Sequence, residues 1–194
     1  MPQLLHTAQT PDIPRLLEIL ADYDVRYVLT GSVAAAVYGV EIGPAGDLDI
    51  TPAMDRKNLQ HLASVLGAIE AGISGGRGHW TTTAEGEKKW VTEDVTPEES
   101  AAISAAWFPD PDDIATLDHR FLTRYGNFDV VPELGGTYEA LMQRAVRMSV
   151  YDHTISVAHI DDLLAALTVP RRRKDISRVR QLRAIQRARG LPAQ

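Results

Sequence analysis

Tyr27-Val-Leu-Thr-Gly-Ser-Val-Ala-Ala-Ala-Val-Tyr-Gly39, followed by Gly46-Asp-Leu-Asp-Ile50, is the stretch of this chain whose reading decides the fold. Residues 25–30 form a short apolar strand. Gly31 breaks it, residues 32–38 are small and helical, and Gly39 stops them. The loop Gly43-Pro-Ala-Gly46 leads into a second strand over 47–51. Alternate side chains of a strand share a face, so Asp47 and Asp49 project together, about 7 Å apart, while Leu48 and Ile50 turn to a core. Two carboxylates held side by side repel each other unless a cation sits between them. A hard divalent ion, Mg²⁺ or Mn²⁺, suits carboxylates and phosphate oxygens as ligands. The pattern therefore points to metal-dependent phosphoryl or nucleotidyl transfer.

The bulk composition narrows the setting. A chain of 194 residues with 44 % hydrophobic and 24 % charged residues is an ordinary soluble globular chain, one domain or one domain with a small appendage. It has no cysteine, which excludes disulfides, Cys-ligated zinc, iron–sulfur clusters and thiol catalysis. The opening residues show no basic region followed by an apolar stretch, and no apolar run approaches the roughly 20 residues of a membrane span. A cytoplasmic protein with no membrane partner is the expectation. Charge is uneven: residues 171–194 hold nine Arg or Lys against Asp175, a net +8, so the other 170 residues carry −14 of the overall −6. A basic end on an acidic body suits a polyanionic partner, or else a helix face paired with the acidic body.

Along the chain, residues 12–22 read as a helix, with Asp12 as N-cap, Pro14 in its first turn and Ile13, Leu16, Leu17 and Leu20 on one face. Residues 55–70 form an amphipathic helix on Leu59, Leu62, Ala63, Leu66 and Ile69. The glycine-rich stretch 71–95, with Trp80 and Trp90 isolated in it, reads as a mobile excursion or a hairpin. Thr96-Pro-Glu-Glu99 is a capping box opening a helix to about Ala106. Residues 119–123 and 127–132 read as strands joined through Arg124-Tyr-Gly126. Thr137 caps a helix over 138–148; a strand over 154–158 and a helix over 161–168, stopped by Pro170, follow. A last helix spans 174–189, with Ile176, Val179, Leu182 and Ile185 buried.

Glycine at 31 lets a backbone approach a phosphate closely, and Ser32 opens a helix whose free N–H groups attract anions. Asp129, in Asn127-Phe-Asp-Val-Val131, is the candidate third carboxylate: an acid inside an apolar strand is costly unless paired or bound to a cation.

These residues, in this order, resemble the DNA polymerase β-like nucleotidyltransferase superfamily, and most nearly the AbiEii-like and MenT-like toxin nucleotidyltransferases of bacterial toxin–antitoxin systems. The opening pattern is matched by 27–39, the metal strand by Gly46-Asp-Leu-Asp-Ile50, the third strand by Phe128-Asp-Val130, and the late charged segment by Asp162-Leu-Leu164 and Arg172-Arg-Lys-Asp175. The resemblance spans about 12–187, with 71–115 outside it. It implies an α/β (α+β) nucleotidyltransferase fold, a small mixed sheet flanked by helices, with a catalytic core over 1–135 and a mostly helical part over 136–194. It implies Mg²⁺ or Mn²⁺ on Asp47, Asp49 and Asp129, with Asp129 also able to act as general base. Gly31, Ser32, Arg172, Lys174 and Asp175 would face the nucleotide. The implied reaction moves an NMP from an NTP to an acceptor, tRNA first, through the basic residues 171–189, with an antitoxin protein as partner. Two departures stand out: Leu167 falls where the family often has a lysine, and Ile42-Gly-Pro-Ala-Gly46 where it often has Arg-x-Thr. Alternatives are a protein hydroxyl or a small molecule such as an aminoglycoside as acceptor, or a nucleotide-binding module without turnover.

Overall fold

The computed structural model describes residues 9–73, 77–82, 88–167 and 173–189, with backbone alone between 77 and 92. In chain order the elements are α1 (Ile13–Asp22), β1 (Tyr27–Leu29), α2 (Gly31–Val37), β2 (Leu48–Pro52), α3 (Arg56–Ala68), β3 (Gly72–Ile73), β4 (Arg77–Thr82), β5 (Lys88–Glu93), α4 (Pro97–Ala106), β6 (Arg120–Thr123), β7 (Gly126–Val130), α5 (Tyr138–Met142), β8 (Val146–Val150), β9 (His153–Val157), α6 (Ile160–Ala165) and α7 (Arg173–Ala188). Seven strands make one mixed sheet, ordered β3-β6-β7-β2-β1-β9-β8. β2 runs parallel to β7 and β1 parallel to β9; the other neighbours are antiparallel. This is the mixed sheet flanked by helices that the sequence led one to expect.

Local chemistry starts and stops these elements. Asp12 accepts from the Arg15 N–H at 3.2 Å to open α1, whose Leu16, Leu17 and Leu20 are buried. Thr96 and Glu99 close the capping box of α4. The β6–β7 turn is tight enough to demand glycine: Gly126 has φ +94°, and a Cβ there would lie 2.6 Å from the Pro11 Cα and the Thr10 carbonyl oxygen. Leu48, Ile50, Phe121 and Phe128 fill the sheet's interior beside Leu62 and Leu66 of α3.

Three expectations are corrected. The helix expected over 138–148 ends at Met142, and Val146–Val150 instead pairs with β9 as an edge strand. Val146, Arg147 and Met148 alternate well enough for a strand, and Tyr151 takes a positive φ of 51° to turn the chain back. The helix expected over 161–168 ends at Ala165. Ile176 is 46 % exposed; the inward face of α7 is made by Asp175, Leu182 and Gln186. Of the two readings of 71–95, the hairpin is the one observed: β4 and β5 pair as a separate two-stranded sheet with Trp80 and Trp90 at opposite positions. Pro170 lies outside the described residues.

Asn58 ties α3 to the sheet. It is 1 % exposed, accepts from the Arg26 N–H at 2.7 Å, and donates to the carbonyl oxygens of Arg26 and Ala53 at 2.9 and 2.8 Å. Asn58→Ala removes the side-chain partner of the Arg26 N–H and the Ala53 carbonyl, while the Arg26 carbonyl keeps the Ala53 N–H at 3.0 Å. The substitution should lower unfolding free energy by about 2–3 kcal/mol, read from urea denaturation at unchanged m-value.

Candidate active site

Three strands bring the chemistry together. On the parallel ladder of β2 and β7, Asp49 stands opposite Asp129; on the antiparallel ladder of β7 and β6, Asp129 stands opposite Arg120. Directly opposed residues present their side chains on one face, so the ladder forces two acids and a cation into a row. Asp47 immediately precedes β2 and joins them: one Arg120 terminal nitrogen is 3.6 Å from Asp47 Oδ2, and Arg120 Nε is 3.1 Å from Asp129 Oδ2.

Gly31 and Ser32 touch this row from α2. Gly31 has φ +64°, and a Cβ built on it would fall 1.9 Å from Asp49 Oδ2, so only glycine leaves room for that carboxylate. The Ser32 backbone N–H donates to the Asp49 carboxylate, and the Thr30 N–H donates to the Asp49 carbonyl oxygen at 3.1 Å. The helix opening expected to meet a phosphate thus meets Asp49 here.

Burial and mutual repulsion set the electrostatics. Desolvation first, then the charges of Asp47 and Asp129, push Asp49 up to about 7 against the pull of the Ser32 N–H and Arg120. Desolvation also pushes Asp129 up to about 6, opposed by Arg120 and assisted by Asp47. Asp129, above all, and then Asp47 and Asp49 hold the Arg120 guanidinium more firmly protonated than usual, against its own desolvation. Asp129 Oδ1 is buried with no hydrogen-bond partner among the described residues.

Asp47, Asp49 and Arg120 of this row, with Gly31 and Ser32, line one side of a cavity of about 1380 Å³, and Leu167, Lys174, Asp175 and Arg178 line the other; Asp129 is not among the lining residues. The opposite wall is α7, fixed by a hydrogen bond from the Glu41 N–H to Gln181 Oε1 at 2.9 Å and by Arg189 stacked 5.2 Å over the Tyr38 ring. Asp175 is buried, Lys174 is exposed, and Arg172 lies outside the described residues. Both departures from the family pattern face the same cavity, Leu167 on one side and Ile42, Pro44, Ala45 and Gly46 on another.

The donor set is chemically suited to a hard divalent ion: three carboxylates, one with an orphaned buried oxygen. Among the described residues, no group of three or more acids or histidines is already arranged around one metal position, and Arg120 pairs with Asp129 and Asp47. Sequence reading missed Arg120, Arg178 and Asp118, all of which line the cavity. Arg120 was within reach, since counting back from the Arg124-Tyr-Gly126 turn puts it opposite Asp129. Arg178 and Asp118 carry no comparable local signal.

In protein stripped of metal with EDTA, Asp49 should titrate near pH 7 by carboxyl ¹³C NMR. Asp47→Asn should lower that midpoint by removing a neighbouring negative charge. Both acids keep a proton that the unfolded chain releases at its ordinary 3.8, so unfolding free energy falls as pH rises from about 4 through the folded values of about 6 and about 7.

No protein-family model matches the chain, and no curated protein matches it. Among solved structures, it is similar to the antibiotic-resistance factor ANT(2'')-Ia in its solution structure, at 14 % identity over 92 % of this chain and 90 % of that one, with a TM-score of 0.47.

Proposed function

We propose that the chain is a metal-dependent nucleotidyltransferase that moves an NMP from an NTP to an acceptor, releasing pyrophosphate, with RNA as the acceptor. The observation that carries the proposal is the in-register pair Asp49 and Asp129, with Asp49 and Asp47 lining a cavity that Lys174 and Arg178 also line. Asp47, Asp49 and Asp129 would hold Mg²⁺, which when bound would neutralise and orient the triphosphate and steady the pyrophosphate leaving group. Gly31 keeps the α2 backbone close to that position. Lys174 and Arg178 bring positive charge to the nucleotide from the opposite side. The acceptor oxygen attacks the α-phosphorus, the bond to pyrophosphate breaks, and Asp129, pushed up to about 6, is suited to take the acceptor's proton.

The choice of RNA rests on α7. Arg173, Arg180, Arg183 and Arg187 are exposed, recur at helical spacing, and form no ion pair with an acid among the described residues. A row of guanidiniums that pair with no acid among the described residues, beside a transfer site, matches a phosphate backbone. In this reading tRNA is the first acceptor to try, the chain acts as a toxin, and its antitoxin is a second partner.

Incubation with each α-labelled NTP, Mg²⁺ and total tRNA should label RNA, and Asp49→Ala should lower the rate by at least about 100-fold, more than loss of a group that only supports a metal ligand. Label on a protein or an aminoglycoside instead would move the acceptor to those classes. No transfer from any NTP to any acceptor would sink the proposal. In a separate measurement, Arg180→Ala with Arg187→Ala should flatten the slope of log affinity for RNA against log salt by about 1.4 to 1.8, since each phosphate contact contributes about 0.7 to 0.9.

A further inference from the structure

The cation facing the carboxylate row is the Arg120 guanidinium. It reaches Asp129 Oδ2 at 3.1 Å through Nε and Asp47 Oδ2 at 3.6 Å through a terminal nitrogen. The three side chains differ sharply in freedom: Arg120 is 66 % exposed, Asp47 27 % and Asp129 9 %. The acids are therefore the fixed members and the arginine is the movable one. Its long stem can swing the charged head into water without disturbing β6, whereas Asp129 is locked between two ladders. The contact is also incomplete. One nitrogen meets one oxygen of each acid, the bidentate fork that makes arginine–carboxylate pairs strong is absent here, and Asp129 Oδ1 is left without a partner among the described residues.

We propose that Arg120 is the resident counter-cation of the carboxylate row, holding Asp47 and Asp129 in place until a divalent ion displaces it. Loading the site is then an exchange of one cation for another. The proposal rests on the nucleotidyltransferase reading, and it makes Arg120 a positioning residue rather than a catalytic one. An exchange of this kind has a signature that bracing of β6 against β7 lacks. Removing the competitor tightens metal binding, and it weakens the protein only while no metal is present.

The test uses the full chain at pH 8 with Mn²⁺ as probe, its affinity read by electron paramagnetic resonance and its Tm followed in EDTA and in excess Mn²⁺. Arg120→Gln should bind Mn²⁺ about tenfold or more tighter than the natural protein, the size of an ordinary coupling between two sites. Its Tm should fall in EDTA and recover in Mn²⁺. Arg120→Lys, which keeps the charge, should stay near the natural protein in both readouts. Unchanged or weaker Mn²⁺ affinity in Arg120→Gln, or a Tm loss of equal size with and without metal, overturns the exchange. If Asp49→Asn abolishes Mn²⁺ binding while Arg120 variants leave it unaltered, this inference fails and the nucleotidyltransferase reading stands. If no variant binds Mn²⁺ and no NMP is transferred, both fail.

Discussion

Three carboxylates that must share one end of one sheet are the constraint on which the rest of the site depends. Neighbouring strands run about 4.8 Å apart, and two full charges at about 5 Å repel by about 3 kcal/mol at an effective dielectric near 20. The fold tolerates this by surrounding the row with compensations drawn from different elements. Arg120 comes from β6, the Ser32 N–H from α2, and a proton held by Asp49 until near pH 7 supplies the remainder. Gly31 belongs to the same set, because any side chain there would evict Asp49. Apart from the room that Gly31 leaves, each compensation is electrostatic and is a point at which a bound cation would alter the balance.

The last helix follows from the same constraint. A helix that only covered a core would bury an apolar stripe, which is what Ile176, Val179, Leu182 and Ile185 suggest. The helix has instead rotated so that Asp175 and Gln186 flank Leu182 inward and Ile176 faces water. Gln186 reaches Asp161 at the start of α6, and Gln181 receives the Glu41 N–H. Buried polar side chains with hydrogen-bond partners on neighbouring elements thus replace a continuous apolar seam.

This explains what the sequence made legible. Features decided by neighbours in the chain could be read: the caps at Asp12 and Thr96, the break at Gly31, the alternation of Asp47 to Ile50, and the apolar frame that marks Asp129 as an acid needing a partner. Features decided across the sheet could not. The strand Val146–Val150 looks like a continuation of α5 until β9 is available to pair with it. The orientation of α7 depends on a cavity that no local pattern announces. Arg120 lies between the two cases, since its partner is fixed by hairpin register alone while its contact with Asp47 needs the third strand.

The positive charge expected from a lysine near position 167 is also better understood through the cavity. Leu167 faces that space as an apolar surface, and the cations lining it are Arg120, Lys174 and Arg178. Against these three stand Glu41, Asp47, Asp49, Asp118, Glu133 and Asp175, twice as many acids. A lining with that excess attracts cations and repels a bare polyphosphate. In the proposed function, a nucleotide therefore has to arrive together with the metal that cancels its charge, or after that metal has displaced Arg120 from the carboxylate row. The apolar lining around Leu167 is then free to meet the uncharged part of the nucleotide, and the acids select for the metal before the phosphates are engaged.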